Sequence, residues 1–319
     1  MPTSAAGGAQ PLLRERATDG SFQRQQSAFR SQISGDPGAQ FPPAAGRYHL
    51  YVSAACPWAS RVVIARELKG LHAAIGMTNV DPIRDELGWR LTAEEPDPVN
   101  GFQYLSEAYL LADPGFDQRV TVPVLWDIET RAIVNNESAD IMRMLETSFN
   151  QFATRPEVDL YPDDRAAQID ELNEWIYPLI NNGVYQAGFA TTQSAYEQAV
   201  AGVFAGLDRC EEILDRSRFL CGGQPTEADW RLFVTLVRFD AVYVGHFKCN
   251  LQRVSDYENL SGYLRDCYQW PGIAETVDID QIKRHYYMTH PSLNPSRVVP
   301  AGPILQLDSD PGRAAVGQK

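Results

Sequence analysis

The hydrophobic pattern of residues 48–52 alternates with a period of two, which predicts a β-strand. A turn follows, and Pro57 then suits the first position of a helix, because a backbone N–H has no partner to lose there. The apolar residues that come next recur at helical spacing, so a helix is predicted over residues 57–71. Cys56 therefore lies where a strand turns into a helix.

The pattern continues with further short strands and a second helix. Pro123 introduces one of the strands, and Glu137 and Ser138 open the helix. The order strand–helix–strand and then strand–strand–helix predicts a small α/β sheet with helices packed on it. The predicted strands cover residues 75–80, the part of 120–127 that Pro123 introduces, and residues 132–135. The helix covers residues 139–145, and a long insertion occupies residues 81–117.

Beyond residue 163 the apolar residues recur with a helical period, which predicts an all-helical region. Asp163 or Asp164 is expected to cap its first helix, and Pro178 is expected to kink that helix. Thr226 and Asp229 have the spacing of a capping box, with Asp in place of the usual Glu or Gln. Further helices are predicted over residues 194–214, 259–270 and 280–286.

The two ends of the chain lack a regular period. The N-terminal end is polar with spaced apolar residues, which predicts an extended arm that packs at a few points; for the first twenty residues a disordered tail explains the composition equally well. The spaced apolar residues are Phe22, Phe29, Ile33 and Phe41. The chain is thus divided into an arm (1–46), an α/β domain (47–150), a linker (151–163), a helical domain (164–290) and a proline-rich tail (291–319).

The composition argues against several classes of protein. The chain has 319 residues and a net charge of −13, so neither nucleic acid nor an anionic membrane surface would attract it. No apolar run approaches the roughly 20 residues of a membrane span, and the N-terminus lacks the apolar core of a signal peptide. The five cysteines form no C-x-x-C pair, which argues against a disulfide framework or a metal site and favours a reducing, cytoplasmic compartment.

Cys56 is the main candidate for chemistry. At a helix N-terminus the unpaired backbone N–H groups and the helix dipole favour a thiolate, which is the nucleophilic form of cysteine. A small buried cysteine without reactivity is the alternative. Where a C-x-x-C redox site carries its second cysteine, this chain has Ala59. A disulfide formed on Cys56 would therefore need a thiol from solution to reduce it.

Several separated motifs resemble one known family. An α/β domain of thioredoxin type with a cysteine at its first helix, a Val-Pro turn and a Glu-Ser helix start, followed by an all-α C-terminal domain, is similar to the cytosolic glutathione transferases. The Cys-Pro-Trp-Ala sequence at residues 56–59 is similar to their cysteine-containing branch. The stretches 120–127, 136–141 and 283–290 resemble the xi class, the glutathionyl-hydroquinone reductases, and the His-Tyr-Tyr sequence in the last stretch separates that class from omega-type relatives. The resemblance covers roughly residues 20–305.

The resemblance implies a glutathione site made of five residues. Glu137 and Ser138 would take the γ-glutamyl end, since a helix start offers N–H groups and a hydroxyl to an anion, and Glu137 can accept from an ammonium group. Val122, if its bond to the following proline is cis, would bind the cysteinyl group. Trp89 and Arg119 would make further contacts through an indole N–H and a guanidinium. Without the resemblance, helix stabilisation, core packing and a solvated charge are the ordinary explanations of these residues.

Three tyrosines are expected to hold a second substrate. Tyr185, Tyr243 and Tyr286 lie in stretches with polar neighbours, and a phenol can donate a hydrogen bond to a developing phenolate. The alternative is a place in the core, where an aromatic at helical spacing is most often found. The resemblance implies that Tyr185 and Tyr286 are catalytic and that Tyr243 is a further quinol contact, whereas Tyr287 and His290 are expected to be structural.

The expected activity is the glutathione-dependent reduction of glutathionyl-hydroquinones to hydroquinones. Cys56 would form a mixed disulfide with glutathione, and a second glutathione would resolve it. Glutathione is then a co-substrate, or in its place a related thiol such as γ-glutamylcysteine, and the resemblance implies a homodimer. Two alternatives stay open: an omega-like thioltransferase or dehydroascorbate reductase, and a non-catalytic binding protein with the same fold.

Overall fold

The computed structural model describes residues 15–317 and groups them into two compact units. The first unit contains Gln25–Val158 and Thr276–Val299. The second contains residues 15–24, Asp159–Glu275 and residues 300–317. Each unit is assembled from separate segments of the chain, whereas the sequence patterns divide the chain into consecutive ranges.

The first unit is an α/β structure. Its elements are β1 (Tyr48–Val52), α1 (Pro57–Lys69), β2 (Ile75–Asn79), α2 (Ser106–Ala112), β3 (Val124–Asp127), β4 (Ala132–Asn135) and α3 (Ser138–Thr147). The four strands form one sheet in the order β2-β1-β3-β4. β1 pairs in parallel with β2 and antiparallel with β3, and β3 pairs antiparallel with β4. The predicted order of strands and helices is confirmed, and only the short α2 inside the insertion is not predicted.

The α1 helix packs against α3, and a buried ion pair joins the two helices. Lys69 Nζ lies 3.2 Å from Glu146 Oε1, with the two side chains 1% and 9% exposed. The ammonium group also donates to the Val158 carbonyl oxygen. Buried charges need such partners, because each has lost its hydration. The pair holds the last turn of the helix whose first turn follows Cys56.

The insertion between β2 and β3 is ordered around one buried carboxylate. Asp97 is 7% exposed and accepts a hydrogen bond from the hydroxyl of Tyr51 on β1. It also accepts from the backbone N–H groups of Val99, Asn100 and Phe102. These bonds satisfy backbone donors that have no ladder partner. A long loop is thereby tied to the strand that precedes Cys56.

The second unit is built from helices, as the sequence predicts. They are α4 (Ala166–Ile176), α5 (Gly183–Phe189), α6 (Gln193–Leu214), α7 (Glu227–Arg238) and α8 (Glu258–Tyr268). The last helix of the chain, α9 (Ile279–Thr289), belongs to the first unit. One turn of π-helix follows α4 and another follows α7, over Tyr177–Asn181 and Phe239–Tyr243. The sequence patterns predict neither of these turns nor the short α5.

The prediction that Asp163 or Asp164 caps α4 is wrong. Arg165 occupies the cap position with a helical backbone and makes no side-chain cap hydrogen bond. A side-chain cap needs an extended backbone at that residue, which the local sequence alone does not reveal. The expected disturbance at Pro178 takes the form of the π-helical turn that follows α4.

The predicted capping box at the start of α7 is confirmed. Asp229 is fully buried and accepts hydrogen bonds from the backbone N–H and the hydroxyl of Thr226, at 2.7 and 3.0 Å. Its other oxygen accepts from the backbone N–H of Leu220 at 2.8 Å and from the hydroxyl of Tyr263 at 3.0 Å. One carboxylate therefore joins the loop before α7, the start of α7 and α8.

The described part of the arm packs at the predicted points. Phe22, Ile33 and Phe41 are 5%, 4% and 2% exposed. The alternative of a disordered tail is wrong for residues 15–20, because Arg16 forms an antiparallel bridge with Phe22. For residues 1–14 that alternative lies outside the described residues.

Among residues 15–317, none of the helices combines the length and the apolar character that crossing a membrane requires.

Replacing Asp229 by Ala is expected to lower the free energy of unfolding by about 3 kcal/mol or more, because the four hydrogen bonds that buried donors make to its carboxylate are lost at once. Urea unfolding followed by circular dichroism measures the change. The matched control is Glu258→Gln, which alters an exposed first-turn acid of α8 and should change the free energy by less than about 0.5 kcal/mol. Equal effects of the two variants would contradict the role assigned to Asp229.

Candidate active site

The sheet topology gathers most of the candidate residues at one edge of the first unit. β1 and β2 run in parallel and end at this edge, β4 also runs in the direction of β1, and β3 begins there. Cys56 follows β1, Val122 precedes β3, and Glu137 follows β4. Segments far apart in the sequence therefore meet because the strand directions place their ends together.

Cys56 is the residue immediately before α1. Its backbone is extended (φ −82°, ψ 121°), no side chain caps the helix there, and its side chain is 8% exposed. The thiol donates to the carbonyl oxygen of Val122 at 3.6 Å. Ala59 is fully buried one turn further on. The structure thus places a single thiol at a helix N-terminus, where a thiolate is stabilised.

A buried hydrogen-bond network stabilises the turn that carries Val122. The Val122–Pro123 bond is cis. Tyr109, on α2, donates to the carbonyl oxygen of Thr121 at 2.8 Å and accepts from the side-chain amide of Asn136 at 3.1 Å. Burial raises the pKa of the Tyr109 hydroxyl, which therefore stays a donor. Sequence patterns leave α2 unassigned and so miss this support.

Glu137 and Ser138 form the start of α3. The Glu137 side chain accepts from the backbone N–H of Ala139 at 3.2 Å, which makes Glu137 the cap of this helix. Ser138 is buried, and its hydroxyl oxygen lies 3.5 Å from Nη1 of Arg61 on α1. Arg61 is itself fully buried, with its guanidinium over the Trp58 ring. A buried positive charge beside a helix N-terminus favours an anionic group of a ligand.

Trp89 lies in a loop with a strand-like backbone hydrogen bond, and its ring contacts two side chains. Leu105 N donates to the Trp89 carbonyl oxygen at 2.9 Å. The Trp89 ring stacks on His285 of α9, with centroids 5.3 Å apart and an angle of 12°, and the Arg84 guanidinium lies 4.9 Å from its centroid. The indole Nε1–H is buried and meets no acceptor within residues 15–317. A buried donor without a partner is costly, so this one is suited to an acceptor on a ligand.

Tyr286 and Arg119 also belong to the first unit. Tyr286 is 1% exposed on α9 and makes edge contacts with the rings of His285 and His290. His285 Nδ1 donates to the carbonyl oxygen of Pro82 at 2.6 Å, which ties α9 to the insertion that carries the Trp89 indole. Arg119 is half-buried, three residues before Val122 in the chain.

Tyr185 and Tyr243 lie together in the second unit, with ring centroids 6.1 Å apart. Tyr243 is the last residue of the second π-helical turn, and Tyr185 lies in α5, four residues after the first; such turns are frequent at functional sites. Tyr243 is fully buried and stacks on Phe247, whereas Tyr185 is half-buried and carries the Arg24 guanidinium 4.6 Å from its ring centroid. Burial lowers the pKa of the neighbouring His246 to about 4, so that side chain is neutral at pH 7.

Sequence reasoning missed several polar residues that lie beside the candidate residues of the first and second units. Arg61 left a weak signal, because an arginine on the apolar side of a short helix needs a partner. His285 carries no local signal for stacking on Trp89, since the two residues are far apart in the chain. The other missed residues are Arg24, Gln25 and Ser27 of the arm.

The other four cysteines differ from Cys56 in their surroundings. All are buried, and none of the five cysteines is in a disulfide. Burial raises the pKa of Cys221 to about 11 and of Cys249 to about 12, and it raises the pKa of Cys210 and Cys267 further. These thiols therefore stay protonated and unreactive at neutral pH. Within residues 15–317, no three His, Cys, Asp or Glu side chains are grouped as metal ligands.

Two family models match the chain: the N-terminal domain of glutathione S-transferase at residues 55–148 and its C-terminal domain at residues 193–266. The chain is 50% identical over 309 residues to the glutathionyl-hydroquinone reductase YqjG of Escherichia coli (strain K12). The aligned region covers 93% of this chain and 94% of that protein.

Solved structures give the same result. The crystal structure of the glutathione S-transferase xi from Phanerochaete chrysosporium superposes with a TM-score of 0.90 at 47% identity, covering 95% of this chain and 98% of that one. The glutathione-bound structure of YqjG from Escherichia coli K-12 gives 0.85 at 49% identity, covering 89% and 96%. The chain therefore belongs to the xi class of the glutathione S-transferase family, with the predicted thioredoxin-like N-terminal domain and all-α C-terminal domain of the cytosolic enzymes.

Proposed function

We propose that this protein is a glutathionyl-hydroquinone reductase, which uses glutathione to convert a glutathionyl-hydroquinone into the hydroquinone. One observation carries the proposal: Cys56 stands at the N-terminus of α1 with its thiol on the Val122 carbonyl, and Ala59 leaves it without a second thiol. Such a site suits thiol exchange by a single cysteine. The similar protein of Escherichia coli is named for this activity.

The reaction begins when the Cys56 thiolate attacks the sulfur of the glutathionyl-hydroquinone. An S–S bond forms as the bond from that sulfur to the ring carbon breaks, and the ring carbon keeps the electron pair and takes up a proton. A second glutathione thiolate then attacks the glutathione sulfur of the mixed disulfide. This step releases glutathione disulfide and regenerates the Cys56 thiolate. The ring gains two electrons, and two glutathione sulfurs lose one each.

The start of α3 is proposed to bind the γ-glutamyl end of glutathione. The Glu137 carboxylate would accept from the ammonium group, and Ser138 with the first N–H groups of α3 would donate to the carboxylate. The buried Arg61 guanidinium, 3.5 Å from the Ser138 hydroxyl, supports this polarity because it adds positive charge beside the proposed carboxylate position.

The remaining contacts are proposed to come from the turn before β3 and from the insertion. The backbone of Val122 would bind the cysteinyl group, next to the thiol that it already faces. Trp89 would donate its free Nε1–H to an acceptor on glutathione, and Arg119 would pair with a carboxylate. Related thiols with the γ-glutamyl and cysteinyl groups, such as γ-glutamylcysteine, share most of these contacts.

Tyr185 and Tyr286 are proposed to donate hydrogen bonds to the quinol oxygens while the ring carbon carries the electron pair of the broken bond. A donor aimed at developing charge lowers the barrier more than it strengthens substrate binding. Tyr243 is proposed as a further contact, supported by its place beside Tyr185.

The protein is proposed to act on small molecules in a reducing, cytoplasmic compartment, without nucleic acid or membrane partners. Its five cysteines, none of them in a disulfide, and its net charge of −13 support this setting. A homodimer is proposed from membership of the family.

Replacing Cys56 by Ser should abolish turnover of glutathionyl-menadiol, by at least roughly a thousandfold, because the hydroxyl is not ionised at neutral pH. Intact-mass spectrometry without free glutathione should show one added glutathione on the unmodified protein and none on the variant. Cys221→Ser, which alters a buried and protonated thiol, should keep both signals. Full activity of Cys56→Ser would refute the mechanism. The same measurement with menadiol conjugated to γ-glutamylcysteine tests which thiol is accepted.

Replacing Tyr185 or Tyr286 by Phe should slow quinol turnover by roughly tenfold to a hundredfold, because a donor to the leaving group is lost. Reduction of a small glutathione mixed disulfide, whose leaving group is a thiolate, should be unaffected. Tyr268→Phe removes a half-buried hydroxyl of α8 and serves as the control. If both site variants retain quinol turnover, an omega-like thioltransferase or dehydroascorbate reductase becomes the better assignment.

A further inference from the structure

A short part of the N-terminal arm, residues 25–31, lies along the end of β4 in the first unit. Ser31 N donates to the Val134 carbonyl oxygen, and Asn136 N donates to the Phe29 carbonyl oxygen, each at 3.0 Å. An isolated antiparallel bridge lies between these two bonds. This arm segment therefore runs as a short extra strand antiparallel to β4, away from the turn before α3, and its first residues lie at that turn.

One side chain of the arm segment holds the carboxylate of Glu137. Ser27 Oγ donates to Glu137 Oε2 at 2.9 Å. The other oxygen, Oε1, accepts from the backbone N–H of Ala139 at 3.2 Å. Both oxygens are thus fixed, which sets the plane of the carboxylate. A carboxylate has about four lone-pair positions, so it can still accept from an ammonium group.

A second side chain of the arm segment holds the backbone at Arg119. The side-chain amide of Gln25 accepts from Arg119 N and donates to the Arg119 carbonyl oxygen, both at 2.9 Å. This pair of bonds fixes the backbone in the way that a neighbouring strand does. The segment thereby reaches two of the charged residues assigned to glutathione, at two separate turns of the same sheet edge.

Stability alone does not explain polar residues at these two positions. Gln25 and Ser27 are half-buried, whereas Gln26 between them is exposed, as the period of an extended strand requires. Burying polar groups yields less stability than burying apolar ones. Elsewhere the arm does bury apolar side chains, at Phe22 and Ile33.

We propose that Ser27 and Gln25 are positioning residues for glutathione. Ser27 orients the Glu137 carboxylate for the γ-glutamyl ammonium group, and Gln25 holds the backbone from which the Arg119 side chain extends. The inference rests on the proposed function, in which these two charged residues contact glutathione. Neither arm residue acts on the sulfur atoms, so their loss weakens glutathione binding without slowing the attack by Cys56.

The test compares Ser27→Ala with two matched variants. Ser27→Ala should raise the KM for glutathionyl-menadiol roughly five- to tenfold at unchanged kcat, as expected for one lost hydrogen bond to a charged group that binds its glutathione portion. Ser27→Thr keeps the hydroxyl and should stay within about twofold of the unmodified protein. Ser31→Ala changes an exposed side chain of the same segment, which contributes only backbone bonds, and should have no effect. An unchanged KM in Ser27→Ala, or an equal change in Ser31→Ala, overturns the proposal.

A double-mutant cycle separates this inference from the function on which it rests. Calorimetry of glutathione binding to the Cys56→Ser protein avoids the covalent adduct. Glu137→Gln should weaken binding, and adding Ser27→Ala to it should cause little further loss, because both changes act through one carboxylate. If Glu137→Gln binds normally, the glutathione assignment itself fails. If Glu137→Gln weakens binding and Ser27→Ala does not, only the positioning role fails.

Gln25 is tested in the same way against its exposed neighbour. Gln25→Leu keeps the volume but removes both bonds to Arg119, and it should raise the dissociation constant for glutathione roughly threefold or more. Gln26→Leu should leave it unchanged. A lowered melting temperature of Gln25→Leu with an unchanged dissociation constant would show a purely structural role and overturn this part of the proposal.

Discussion

The site depends on the way in which α1 begins at the end of the central strand β1. The first turn of a helix has N–H groups without intrahelical partners, and here that turn is fixed at the sheet edge where β2 and β4 also end and β3 begins. A thiol at this point is close to a helix dipole and to the carbonyl oxygen of Val122. The ion pair of Lys69 at the other end of α1 keeps the helix in place.

Local sequence signals were sufficient to predict the strands of the sheet and the starts of α1 and α7. The alternation in β1, the position of Pro57 and the spacing of Thr226 and Asp229 are short-range patterns, and the structure has the elements that they predict. The wrongly predicted cap of α4 shows the limit, since a side-chain cap depends on backbone angles that Asp163 does not determine. The strand order then brings the turns at Cys56, Val122 and Glu137 together at one end of the sheet. This is why motifs that are far apart in the sequence can belong to one site.

Contacts between distant segments could not be predicted in this way. The stacking of His285 on the Trp89 ring joins α9 to the insertion, and nothing in either local sequence requires it. The same holds for the arm, where a serine in a polar stretch looks like any solvated residue until its partner is known. In the second unit the sequence patterns predict neither α5, which carries Tyr185, nor the π-helical turn that ends at Tyr243.

In the proposed cycle the glutathione contacts must serve two successive reactions. The glutathione portion of the substrate stays bound while its sulfur first loses the quinol carbon to become disulfide-linked to Cys56, and it is then attacked by a second thiol. The noncovalent contacts of that portion therefore set how tightly the substrate binds, whereas the new S–S bond holds it during the second step. A carboxylate fixed at both oxygens, as Glu137 is by Ser27 and by the start of α3, is oriented for that binding without touching either sulfur. Because Ala59 cannot supply a resolving thiol, the second glutathione takes the place of a second cysteine and has to reach the mixed disulfide from solution.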